Sequence, residues 1–251
     1  MKGISLKTDQ EIAVMREGGK KLSVIKKKLK GEVKPGVSSL EIENLATKLI
    51  KESGAVPSFK MVPGYKWSTC VNINEGVVHG IPKDTVIFKK GDIVSVDVGL
   101  YFKGFHADSA FTSSIDGTLG DDKFLETGKK ALNKAISSVK VGKTIGDISK
   151  SIEEVIRGEG YSPIESLTGH GVGRELHEAP YVPCFVSGSE SEKVQIREGI
   201  ALAIEVMYCY GSPELEIEED GWTIRTKNGK MAALFEETVA LDSRGRIVLT
   251  R

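Results

Sequence analysis

The chain has little cysteine, no surplus charge of either sign and no long apolar run. Three cysteines in 251 residues, Cys70, Cys184 and Cys209, are too few and too scattered for a disulfide framework, and none forms a C-x-x-C pair that would suggest zinc or redox chemistry. That usage fits a reducing cytoplasm. The 35 basic and 35 acidic side chains cancel, and the missing basic excess argues against a protein that grips DNA by neutralising its phosphates. The most apolar stretch, Ile200 to Tyr208, is broken by Glu205 and falls far short of the ~20 residues that span a bilayer, so no membrane partner is expected. Met1 to Lys20 alternates charged and apolar residues without the apolar centre of a signal peptide. What remains is a soluble globular composition, 39% apolar and 28% charged, long enough for a substantial core.

Four helices are predicted. Thr8 with Glu11 three residues on is a capping-box signature, and Ile12, Met15, Leu22, Ile25 and Leu29 then recur at helical spacing as far as Gly31. Ser38 with Glu41 opens a second helix that stops at Gly54. Two more are expected over about 121–139 and 144–157, with strands between and after the pairs. This order of elements repeats. Val33-Lys34-Pro35-Gly36 matches Val139-Lys140-Val141-Gly142 at an offset of 106, which also aligns Ser38 with Thr144, Ile42 with Ile148 and Gly54 with Gly160. His79-Gly80-Ile81-Pro82 parallels His177-Glu178-Ala179-Pro180, and Asp97 stands six residues after Gly91 as Glu205 stands six after Gly199. An α+β protein of two similar halves, about 8–120 and 121–251, is the expectation, with any site on their axis drawing residues from both.

The acids in the strands are the unusual feature. A hairpin centred between Phe102 and Lys103 would set Asp97 directly opposite Asp108, and facing carboxylates on a partly buried strand pair repel unless a cation or a proton lies between them. Glu205 interrupts a run apolar enough for a strand buried on both faces, where a bare carboxylate needs a partner. Glu236 is less telling by itself, because the adjacent Glu237 suggests a strand with one polar, solvated face. Two of the four histidines, His170 and His177, lie in Gly169-His170-Gly171-Val172-Gly173-Arg174-Glu175-Leu176-His177-Glu178-Ala179-Pro180, too far apart for the paired histidines of a helical zinc site. Carboxylates with one imidazole suit Mn, Fe, Co or Zn, and four negative charges balance two divalent ions.

These residues complete a wider pattern. Asn74-Glu75, Val78-His79-Gly80-Ile81-Pro82, Asp97-Val98-Gly99 with Asp108, the Gly169 to Pro180 segment, Ile204-Glu205, Asp220-Gly221-Trp222 and Phe235-Glu236 with Thr238 together resemble the type I methionine aminopeptidases, which are pita-bread metallopeptidases, from about residue 8 to the end. The resemblance implies two pseudo-symmetric halves around a curved antiparallel sheet and a single catalytic domain. It implies a two-metal centre held by Asp97, Asp108, His170, Glu205 and Glu236, with Glu205 also taking a proton, and His79 and His177 facing the substrate. It places Phe59, Tyr65, Cys70, Leu176 and Trp222 around the methionine side chain. The activity implied is removal of the initiator methionine of nascent proteins, with a small second residue favoured, by a water that the two ions (Co, Mn, Fe or Zn) activate, in a cytoplasmic monomer.

Three positions depart from the family pattern: Lys66 where a proline commonly follows the tyrosine, Leu176 where an aromatic is frequent, and Val206 in place of the proline after the metal-binding glutamate. They bear on the pocket and its strictness for methionine, so an aminopeptidase of altered specificity is one alternative. A non-enzymatic binding module is another, disfavoured because all five ligands and both histidines are present. Cleavage before proline is disfavoured because the catalytic domain leaves no room for the N-terminal domain of prolidases. Lys26-Lys27-Lys28-Leu29-Lys30 reads as a solvated helix face whose charge suits the helix C-terminus, with a transient contact to ribosomal RNA as the alternative.

Overall fold

The structure, a computed structural model, describes residues 3–251. Its four helices, α1 (Asp9–Glu32), α2 (Ser39–Glu52), α3 (Leu119–Ser137) and α4 (Ile145–Gly158), all begin with complete capping boxes, from Thr8, Ser38, Thr118 and Thr144. In each box the cap hydroxyl accepts from the third helical N–H and that residue's carboxylate accepts from the cap N–H, so two otherwise orphaned donors are satisfied. No helix among the described residues is long and apolar enough to cross a membrane.

Every strand pairing is antiparallel. In the first half, β1 (Val56–Pro57) and β2 (Thr69–Ile73) pair with successive stretches of β4 (Ile93–Phe102), which pairs along its whole length with β5 (Phe105–Ser114). A small sheet joins β3 (Gly76–Val78), β10 (Leu215–Ile217) and β11 (Ile224–Thr226). The second half holds β6 (Ser162–Pro163), β7 (Thr168–Gly171), β8 (Glu178–Pro183), β9 (Ala201–Cys209), β12 (Ala232–Asp242) and β13 (Gly245–Val248), in the order β13-β12-β9-β7-β8 with β6 also on β9. Hydroxyl groups join the two sheets along a β5–β12 seam: Thr112 Oγ1 donates to the Leu234 carbonyl at 2.6 Å, Thr238 Oγ1 donates to the Asp108 carbonyl at 2.7 Å, and Ser109 Oγ donates to the Glu236 carbonyl at 2.8 Å.

Alternation along the central strands separates core from site. Val94, Val96, Val98 and Leu100 of β4 are buried with Leu22, Ile25, Leu29, Ile42 and Ile50 of α1 and α2. Leu202, Ile204, Val206 and Tyr208 of β9 are buried with Phe124, Leu132, Ile148 and Ile152 of α3 and α4. The intervening residues, Asp97 and Glu205 among them, therefore point away from the helices. The 106-residue offset reappears in the backbone: Gly36 and Gly142 share a positive φ of 87° and 84°, Gly54 and Gly160 of 75° and 83°, and β6 meets β9 as β1 meets β4.

Two expectations need correction. The hairpin turns on Lys103-Gly104, both with positive φ (48° and 94°), a two-residue turn whose twist suits the strands. Asp97 consequently pairs with Ala110 and Asp108 with Gly99, so the two aspartates are diagonal neighbours on one face instead of direct partners. The lysine run is not a uniformly solvated face either. Lys26 turns inward, donating to Ser109 Oγ at 2.6 Å and to Glu237 Oε2 at 2.8 Å, while Lys27, Lys28 and Lys30 stay exposed.

Candidate active site

Four strands bring the carboxylates together. Asp97 comes from β4, Asp108 from β5, Glu205 from β9 and Glu236 from β12, and Glu205 and Glu236 are the pair that face each other directly across a ladder. Glu236 is only 2% exposed, and the whole of β12 is buried. The solvated face expected beside it does not exist, because Glu237 is covered: Lys26 and Arg251 pair with it at 2.8 and 3.2 Å, and the Thr250 hydroxyl donates to it. Asp108, His170 and Glu236 each offer a ligand atom within 4.8 Å of the others. His170 Nε2 lies 3.5 Å from Glu205 Oε1.

His170 arrives on β7, threaded between β8 and β9. The glycine before it is required there, since a Cβ on Gly169 would lie 2.6 Å from the Ala203 carbonyl oxygen. His170 Nδ1 sits 2.9 Å from the Gly171 carbonyl, which can only accept, so Nδ1 carries the proton and Nε2 presents its lone pair to the carboxylates. Burial pushes the pKa of this imidazole down to about 3 and keeps it neutral.

The electrostatics are those of a site built around positive charge. Burial first, then mutual repulsion, holds Asp97, Glu205 and Glu236 well above the ordinary carboxylate range. Burial likewise raises Asp108 to about 7, against the help of hydrogen bonds from its neighbours. Asp97 Oδ1 and Glu236 Oε1 are buried without any hydrogen-bond partner among the described residues. An unpartnered buried oxygen is costly, and two of them aimed into one cluster of acids fit a divalent cation, as does the hard oxygen donor set with one imidazole.

A cavity of about 140 Å³ opens from this cluster and is walled by Phe59, Tyr65, Cys70, Leu176 and Trp222, all five of the residues expected there. Val62 and Val78 also line it; Val78 belongs to the Val78 to Pro82 motif without standing out in it, and Val62, beside Pro63 in a turn, carries no signal in the sequence. Tyr65 organises the wall, its hydroxyl donating to the Thr69 carbonyl at 2.9 Å and to Cys70 Sγ at 3.2 Å, with Trp222 edge-on at 5.0 Å and Trp67 at 5.3 Å. Asp220 holds Trp222 in place by accepting from its N–H at 3.0 Å. Lys66 is exposed and absent from the lining, and Val206 packs on the helix side of β9, so of the three departures only Leu176 shapes the cavity.

His79 and His177 both border the cavity. His79 occupies the left-handed region at φ 58°, a strained position held by the next residue, Gly80, whose N–H donates to Asn72 Oδ1 at 2.9 Å and whose carbonyl accepts from the Val71 N–H at 2.9 Å. Burial lowers its pKa, with His177 adding to the effect. His177 stands exposed at the mouth, its ring 4.5 Å from that of His170.

Residues 13–243 match metallopeptidase family M24. Methionine aminopeptidase 1 of Bacillus subtilis (strain 168) is 39% identical over 249 residues, 99% of each chain. A solved methionine aminopeptidase from Thermotoga maritima superposes with a TM-score of 0.94 at 37% identity, over 99% of this chain and 100% of that one. A prolidase from Pyrococcus furiosus, 22% identical with a TM-score of 0.78 over 98% of this chain and 65% of its own, shares the fold alone. The expected pita-bread architecture is therefore the observed one. The chain belongs to metallopeptidase family M24 and, within it, to the methionine aminopeptidases.

Proposed function

We propose that this metal-dependent aminopeptidase removes the initiator methionine from nascent proteins with a small second residue, as a cytoplasmic monomer and a single catalytic domain whose halves are 8–120 and 121–251. The observation that carries this reading is the convergence of four buried or half-buried carboxylates and one neutral imidazole, two of the oxygens unpartnered, at the floor of an apolar cavity. Asp97, Asp108, His170, Glu205 and Glu236 would hold two divalent ions, of Co, Mn, Fe or Zn, whose combined charge offsets the four carboxylates. When bound, such ions lower the pKa of water and polarise a carbonyl.

The chain's own residues supply the rest. Phe59, Tyr65, Cys70, Leu176 and Trp222 take the methionine side chain out of water, which places the first peptide bond over the acid cluster. Glu205 borders the cavity with 14% of its side chain exposed, and it accepts the proton released by the attacking water. His79 is half-buried and held in place, so its ring N–H is a fixed donor for the peptide, and His177 meets the incoming chain at the mouth. Lys27, Lys28 and Lys30 are the residues through which a transient contact with the ribosome would run. Replacing all three should weaken co-sedimentation with ribosomes and flatten its salt dependence, and unchanged binding would remove that contact.

The deciding assay is release of free methionine from Met-Ala-Ser and Met-Lys-Ser by protein stripped of metal and resupplied with Mn, Co, Fe or Zn. Metal-dependent release from the first peptide alone is expected. No release with any metal would overturn the reading, and release from both would refute the small-residue preference.

A further inference from the structure

The Gly169 to Pro180 segment contains three charged residues that the metal site does not use, Arg174, Glu175 and Glu178, and the first and last of them are tied to the N-terminal segment of the chain. Lys7 precedes α1 and is only 5% exposed; a lysine is almost never so buried unless paired. Its Nζ donates to Glu178 Oε2 at 2.5 Å and to the Ser5 carbonyl at 2.9 Å. The second oxygen of Glu178 accepts from the Glu175 N–H at 3.1 Å, closing the loop 173–178 on itself. Lys7 lies across Gly173 so closely that a Cβ there would fall 2.2 Å from Lys7 Cε. The Lys7 N–H donates to the Gly199 carbonyl at 2.7 Å, and Arg174 reaches back to Glu11 and, at 3.0 Å, to Ser5. The first half also grips the loop from its other side, where the His106 N–H donates to the Gly173 carbonyl at 2.7 Å.

This loop carries Leu176 and His177, one wall of the cavity and its mouth, yet Arg174, Glu175 and His177 are themselves exposed. Leu176 packs in a buried cluster with Phe59, Tyr65 and Cys70, while its exposed neighbours lie on a stretch tied down by the bonds that Arg174 and Glu178 make to the N-terminal segment. We infer that Lys7 is a positioning residue: with Glu178 it clamps the loop 173–178 and so sets where Leu176 and His177 stand relative to the acid cluster. The assignment of His177 to the substrate rests on the proposed aminopeptidase reading. The clamp itself is a matter of loop order and can be measured separately.

The test compares wild type, Lys7→Met, Glu178→Gln and the double variant. Groups that act by orienting others typically cost about 10- to 100-fold when removed. A fall of that size in kcat/KM for Met-Ala-Ser is expected in each single variant, with bound metal unchanged and amide hydrogen exchange accelerated in residues 173–178. The double variant should be no worse than the poorer single one, because both remove the same contact. Rates within twofold of wild type in Lys7→Met, unaltered exchange in 173–178, additive losses, or loss of bound metal in parallel with activity would each overturn the clamp. If Lys7→Met does not fold, Arg174→Gln at the exposed end of the strap gives the same reading through exchange, and no acceleration there would refute it. A wild-type protein that releases no methionine would fail the functional reading, whereas the exchange measurement would still decide the clamp.

Discussion

Replacing Asp108 with asparagine is expected to make the metal-stripped protein more stable at pH 8, the opposite of what removing a buried, hydrogen-bonded charge usually does. Asp108 is 3% exposed, and burial raises its carboxyl from an ordinary value of 3.8 to about 7. A carboxyl raised in the folded state contributes stability that is fully present below the unfolded value, near pH 4, and is lost as pH climbs through the folded value, near 7. Across that window the ionisation of this one group opposes folding by on the order of 4 kcal/mol at most. Asparagine keeps the shape and can still accept the Ser109 N–H, which bonds Asp108 Oδ1 at 3.0 Å, but it has nothing to ionise. Each kcal/mol is worth roughly 2–4 °C of Tm in a chain of this length, so even a quarter of the bound is readable.

The assay is thermal unfolding in chelator at pH 5 and pH 8, followed by the same scans with manganese. The variant should melt above wild type at pH 8, and its advantage should shrink at pH 5, where the wild-type carboxyl already holds its proton. Manganese should raise wild type more than the variant, because only the native state of the former has the full ligand set. A variant less stable than wild type at both pH values, or a difference that ignores pH, would refute the claim that this cluster is strained by uncompensated charge.

Glu205→Gln should lower the rate of methionine release by roughly 10²- to 10⁴-fold, the range for loss of a proton acceptor, without lowering Tm in chelator; retention of more than a tenth of the rate would exclude Glu205 from that role. Activity at limiting metal should fall as pH drops from 7 to 5. Because burial keeps His170 neutral down to about 3, the protons that compete with metal as pH falls go to the raised carboxylates of the empty site, so the metal concentration needed for half activity should rise from pH 7 to 5, and a requirement that ignores pH would contradict those raised pKa values. Lys26→Met removes one of the two cations on buried Glu237 and should cost about 2 kcal/mol in urea unfolding, as expected for a hydrogen bond to a charged group; a change under 0.5 kcal/mol would place Lys26 among ordinary surface lysines.

The parts of this fold that are legible in the sequence are those specified within a few residues. Thr8 with Glu11, Ser38 with Glu41 and Thr144 with Asp147 fix three helix starts through contacts only three positions apart, and the structure has all three. Glu205 is legible for the same local reason, as an acid breaking a run of buried apolar residues. The hairpin register is not, because it depends on Lys103 adopting a positive φ that nothing in its residue type announces. Glu236 is hard to weigh because Glu237 beside it looks solvated, and what covers Glu237 is Lys26, 211 residues away. The Lys7–Glu178 pair, 171 residues apart, is invisible on the same grounds. Distance along the chain thus divides the site into two classes. Acids that violate the pattern of their own strand can be read as functional from the residues alone. The groups that frame those acids, the β5–β12 hydroxyl seam, Lys26 beneath Glu237 and Lys7 beneath the His177 loop, come from remote segments, and only the folded arrangement identifies them. The dependence of the His177 loop on Lys7 and of buried Glu237 on Lys26 is also why a substitution far from the cavity, at either lysine, is expected to register at the site or in the stability of the fold.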